Sequence, residues 1–207
     1  TARTGEIQVK EFDLEQTADA WLFLDLDRAV QAGQGDDSTV ELAVRAAASI
    51  ADKAIIENRA VGLTVNGHRM ALLPADRGAR QHLKIMQLLA AVEADGSTPL
   101  AETLLGGLGR LRRGMTAIVI TPSLDRTWVR PLAGLRSRGI GCVAVVVDPL
   151  ACERATAARH GGGRAAAAGA DPETAATRMR ALRHALAEYE LPLEVVVPDR
   201  PLGELLA

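Results

Sequence analysis

The chain reads as a three-layer α/β protein: a doubly wound, mostly parallel six-stranded sheet with one antiparallel edge strand, covered by helices on both faces. Three observations predict this. Apolar runs of strand length alternate with segments of helical periodicity along most of the 207 residues, an order that right-handed crossovers turn into a parallel sheet. The runs Trp21–Leu26, Thr116–Thr121 and Ile140–Val147 are almost continuously apolar, as strands are when both faces are buried. Val61–Val65 and Arg69–Leu73 flank Asn66 and Gly67, the pair favoured in a two-residue type I′ hairpin turn, with His68 opening the second run. That hairpin puts one antiparallel strand at an edge.

Taken in order, Val9–Glu15 is an extended polar lead-in to the first strand, Trp21–Leu26. Ser38 caps the first helix, with Glu41 three residues on as a capping box. Leu42, Ala46, Ile50, Ala54 and Ile55 mark its inward face, and it ends near Asn58. Gly78–Ala94 is helical, with Leu83, Met86, Leu89, Ala90 and Val92 inward. The break Asp95-Gly96-Ser97-Thr98-Pro99 follows, and Pro99 suits the first position of a helix running to about Arg113. Thr116–Thr121 is a strand, Trp128–Arg138 a helix closed by Gly139, and Ile140–Val147 the most uniformly apolar strand. Ala151–Asp171 reads as a long loop with a short helical piece, around the tract Gly161-Gly162-Gly163. Pro172 begins a helix to about Glu190, and Leu193–Val197 is the last strand, before a tail at Gly203–Ala207.

Composition narrows the function. A net charge of −2 offers no long-range pull toward nucleic acid or an anionic membrane, and with aromatics at 2% there is little to build a base-stacking platform. Nucleic acid is excluded as the expected partner. The two cysteines, Cys142 in an apolar strand and Cys152 ten residues on, form neither a CxxC pair nor a disulfide framework, which fits a reduced compartment. Apolar runs such as Gly141–Val147 are too short to span a bilayer, so this stretch of chain is expected to be soluble.

In a sheet of this kind, ligands sit outside the carboxyl ends of the strands. Three loops meet there: Asp25–Ala29, Gly96–Pro99 and Pro122–Asp125. Asp25 and Asp27 point to the same side of an extended chain, so they either share a cation or push one pKa upward. As a general acid and base pair they lack an accompanying nucleophile. Gly106-Gly107-Leu108-Gly109 lies inside a helical pattern without the spacing of a nucleotide loop. The Gly161–Gly163 tract with Arg159, His160 and Arg164 is read as a surface loop, and His68, His82, His160 and His184 show no metal-ligand spacing. Arg110, Arg112, Arg113, Arg126, Arg130, Arg136 and Arg138 are read as a solvated basic face. Trp128, just beyond the third loop, is a candidate anchor for a protein partner, with a core position as the alternative.

The opening TARTGEIQVKEFDLEQTADAWLFLDLD resembles the bacterial family called domain of unknown function 58, on Ala2-Arg3-Thr4-Gly5-Glu6 and Val9-Lys10-Glu11-Phe12, and the order of elements resembles the von Willebrand factor type A fold. The resemblance implies an extended lead-in over 1–19, the end of a truncated upstream region, and a type A-like domain over 20–207. It also implies a full-length protein tethered to the membrane with this domain on the cytoplasmic side, and association with a MoxR-type AAA ATPase. Type A domains that bind Mg²⁺ use an Asp-x-Ser-x-Ser loop, a Thr from a second loop and an Asp after the fourth strand. On that pattern Asp25 keeps the first acid and Thr98 matches the Thr. Asp27 and Ala29 replace the two serines, Pro122 falls where the last Asp is expected, and Ser123 and Asp125 lie nearby.

The expectation is therefore a non-enzymatic protein-interaction module with a degenerate metal site. Its metal candidates are Asp25, Asp27 and Thr98, with Ser123 and Asp125 as substitutes, and its partner contacts are Arg28, Ser97, Thr98, Asp125 and Trp128. The cofactor is none, or weakly bound Mg²⁺. The alternatives are a metal-dependent hydrolase or phosphoryl-handling enzyme using Asp25, Asp27 and Asp125, and a self-association domain.

Overall fold

Asp19–Asp25 (β1) runs through the middle of a six-stranded sheet, and every residue from Ala20 onward in it is buried. The computed structural model describes residues 18–68, 70–159, 172–198 and 200. The lead-in up to residue 17, the tract Gly161–Gly163 with His160, and the tail Gly203–Ala207 lie outside the described residues. On one side β1 pairs in parallel with Val61–Asn66 (β2), which pairs antiparallel with Met70–Asp76 (β3) at the edge. On the other side it pairs in parallel with Met115–Thr121 (β4), followed by Gly141–Val147 (β5) and Leu193–Val196 (β6), giving the order β3-β2-β1-β4-β5-β6. The predicted fold class is the observed one.

The alternation of strand side chains splits the core in two. Leu22, Leu24 and Leu26 face one helix layer, built of Thr39–Ile56 (α1) and Gly78–Leu89 (α2), together with Cys152 of Pro149–Arg159 (α5). Trp21 and Phe23 face the other, built of Leu100–Gly107 (α3), Val129–Arg136 (α4) and Pro172–Glu188 (α6). Ser38 caps α1 as predicted, its side chain accepting the amide N–H of Glu41.

Four local readings change. Asn66 pairs with Met70, so residues 67–69 separate β2 from β3 where a two-residue turn was expected; Asn66 is a buried sheet residue whose amide serves the rim described below. In α2 the inward face is Gln81, Ile85 and Leu89, with Leu83 exposed. Gln81 is buried because its amide donates to the carbonyls of Val61 (2.7 Å) and Pro74 (2.9 Å), filling gaps in the sheet's hydrogen bonding that no apolar residue could fill. The helix α3 stops at Gly107, where successive glycines remove helix propensity and a Cβ would sit 2.7 Å from the Phe23 ring. The short helical piece expected within Ala151–Asp171 is the eleven-residue helix α5, which starts two residues before that stretch: Asp148 accepts the amides of Leu150 (2.9 Å) and Ala151 (3.2 Å), and Pro149 opens the first turn.

Candidate functional site at the carboxyl rim of the sheet

Because β1, β2 and β4 are parallel and in register, they deliver Asp25, Asn66 and Thr121 side by side at one edge. All three side chains are buried, Asp25 at 1% exposure. Thr121 Oγ1 donates to Asp25 Oδ2 at 2.7 Å, and the Asp27 amide donates to Asp25 Oδ1 at 3.1 Å. The Thr121 hydroxyl in turn accepts the Ser123 amide at 2.9 Å, so one contact ties the first loop to the third.

Beyond Asp25 the chain stays extended for two residues and forms a bridge to Gly96: Gly96 donates to the carbonyl of Leu26 (3.1 Å) and the Arg28 amide donates to that of Gly96 (3.0 Å). The approach is so close that a Cβ on Gly96 would sit 2.5 Å from the Asn66 carbonyl oxygen and 2.9 Å from that of Leu26. Only glycine fits there. The Asn66 side-chain amide donates to the Thr98 carbonyl, which fixes the second loop against the strand beside Asp25. Asp27 then caps a single 3₁₀ turn, Arg28–Val30, by accepting the Ala29 amide at 3.0 Å.

Gln31 closes the first loop. Its Nε2 donates to the carbonyls of Asp25 (3.1 Å) and Asp27 (3.2 Å), while its Oε1 accepts from Thr39 Oγ1 at 2.8 Å. Thr39, the first residue of α1, also accepts the Ala32 amide at 2.9 Å.

Burial raises the pKa of Asp25, and the neighbouring Asp27 carboxylate adds to that; the hydrogen bonds from Thr121 and the Asp27 amide pull the other way. Asp125 behaves oppositely. Its carboxylate turns into its own loop, accepting the Thr127 hydroxyl at 2.7 Å and the Thr127 amide at 3.3 Å, and the hydroxyl bond lowers its pKa. Ser123 Oγ is occupied by the Asp125 amide at 3.3 Å.

The predicted residues therefore separate. Asp25, Asp27 and Thr98 share one corner of the rim, with Arg28 and Ser97 exposed beside it. Ser123 touches that corner through its backbone only, and Asp125 is engaged with Thr127. Trp128 is a correction: at 1% exposure it belongs to the core between α3, α4 and β4, and it offers a partner no surface. Among the described residues no group of three or more His, Cys, Asp or Glu could hold a metal ion. Sequence reasoning missed Thr121, Asn66, Gln31 and Thr39. Thr121 ends a predicted strand, but its place beside Asp25 follows from the β1–β4 pairing; the other three carry no pattern of their own.

Solved structures share this architecture. The chain is similar to an aerotolerance-related membrane protein from Bacteroides fragilis, with 16% identity and a TM-score of 0.60 over 91% of this chain and 94% of that one. It is similar to a von Willebrand factor type A protein from Catenulispora acidiphila, with 11% identity and a TM-score of 0.52 over 92% of this chain and 40% of that one. A proximal thread matrix protein from the mussel byssus, solved with a zinc-occupied metal-ion-dependent adhesion motif, gives 10% identity and a TM-score of 0.52 over 92% of this chain and 46% of that one. At these identities the likeness is one of fold, and the fold is von Willebrand type A-like. No curated protein matches the chain. The family described as protein of unknown function DUF58 matches residues 1–159 of the 207, and the chain belongs to that family.

Proposed function

We propose that this domain is a non-enzymatic protein-interaction module that engages its partner through the carboxyl rim, in which the metal corner of the type A fold has become an internal brace. One observation carries the reading: both oxygens of the buried Asp25 carboxylate already accept protein donors, one of them the hydroxyl that ends β4. Mg²⁺ asks for near-octahedral oxygen ligands. Here Asp27 is committed to capping Ala29, position 29 brings no oxygen, and Asp125 is bound to Thr127. The donor set does not fit the ion, and any Mg²⁺ held there is weak. The exposed rim around Arg28 and Ser97, with Thr98 beside them, is then a surface for polar contacts with a protein. Asp125, turned away from Asp25, argues against the hydrolase alternative.

The family resemblance makes a MoxR-type AAA ATPase the first partner to test, at the cytoplasmic face of a membrane that tethers the longer protein. Among the described residues no helix is long and apolar enough to cross a membrane. A pull-down from native lysate, with the domain as bait and the Asp25→Asn/Thr98→Ala double variant as control, is expected to retain a protein on the parent alone. Calorimetry with Mg²⁺ is expected to give no saturable heat below millimolar ion. Tight Mg²⁺ binding abolished by Asp25→Ala, or equal capture by parent and double variant, would overturn the reading.

A further inference from the structure

We infer that the pocket beside the Asp25 corner, between the first rim loop and helices α5 and α6, receives a lysine or arginine side chain of the partner, with its cationic head against Glu153. This rests on the rim being the partner surface. The pocket has a volume of about 140 Å³. That is well below the several hundred Å³ that a cofactor or drug-sized ligand fills, and close to the ~150 Å³ that holds one benzene-sized group. One long side chain is the natural occupant.

The walls are apolar, from Ala29 and Val30 on the first loop, Leu124 on the third and Leu150 at the start of α5. An aliphatic stem fits against such walls while its head reaches a polar group. Of the polar lining residues, Gln31 and Ser123 are engaged in the rim contacts above, and the one acid is Glu153, one turn into α5. Among the described residues it has neither a hydrogen-bond nor an ion-pair partner. Burial raises its pKa. Arg178 of α6 lines the same pocket, and among the described residues no ion pair joins it to Glu153. A half-buried carboxylate bears a desolvation cost that a partner's ammonium or guanidinium would offset. An acidic occupant would meet only Arg178, which is exposed and keeps its hydration.

The test is a titration of the ¹⁵N-labelled protein with n-butylammonium, n-butylguanidinium and butyrate, read from the amides of Gln31, Ser123, Leu150 and Glu153. Saturable shifts with the two cations are expected, about tenfold weaker or lost in Glu153→Gln and unchanged in Arg178→Gln. Saturation by butyrate that Arg178→Gln abolishes, or no saturable shift with any probe, would overturn the inference. The lysate experiment separates the two readings. A protein lost on Asp25→Asn/Thr98→Ala but held fully by Glu153→Gln leaves the rim in place and removes the cation pocket, whereas a protein indifferent to both removes the rim itself.

Discussion

Asp25 and Asp125 are both aspartates at the carboxyl rim, one ending β1 and one in the loop after β4, yet their environments are opposite. Asp25 is buried and spans strands, accepting a hydroxyl from β4 and an amide from its own loop. Asp125 is exposed, and its carboxylate contacts reach only two residues along the chain. The difference teaches that a carboxylate near a strand end becomes a shared structural element only where the sheet register brings a donor to it from another strand. Otherwise it remains a local cap.

The largest expected effect that tests this contrast is Asp25→Ala. It strands the buried Thr121 hydroxyl and the Asp27 amide, and should cost about 2–3 kcal/mol in chemical denaturation; a loss no greater than that of Asp125→Ala would erase the distinction. Gly96→Ala comes next. Its new methyl meets the Asn66 and Leu26 carbonyls, and a destabilisation of about 1–3 kcal/mol is expected, with amide shifts concentrated in residues 26–30 and 95–99. Asp125→Ala should cost less than about 1 kcal/mol, the usual range for a surface cap.

The smallest effect lies in the pH dependence, where the two acids should have opposite signs. The pKa of Asp25 is raised, so its contribution to stability is fully present below the ordinary Asp value and fades as pH climbs through the raised one. The pKa of Asp125 is lowered, so its contribution is present above the ordinary value and is lost as pH falls through the lowered one. Denaturation midpoints of the parent against Asp25→Asn and against Asp125→Asn, followed across the acid range, should therefore diverge in opposite directions.

Apolar patterning carried most of the architecture. The continuous runs at β1, β4 and β5 marked buried parallel strands, and Ser38 with Glu41 marked the start of α1, because burial and capping each leave a local signature. What stayed hidden was polar and buried. Gln81 rotated the expected face of α2, Asn66 resembled a turn residue, and Thr121 was read as a strand end and nothing more, because each is satisfied by a backbone or side-chain partner far away in sequence. The candidate metal corner was legible in Asp25, Asp27 and Thr98. Its closure by Thr121 depended on strand register, which one sequence does not print. Trp128 lay beside a loop in the sequence but in the interior in space, since the chain turns inward at the start of α4.

Thr39 has a wider consequence. One hydroxyl at the start of α1 both grips the Gln31 side chain and receives the Ala32 amide, so the leading edge of the rim is hinged on a long helix that crosses the opposite half of the core from Trp128. A visitor that prised up residues 28–32 would have to fray that helix as well. The proposed partner surface is thereby coupled to the stability of the whole domain.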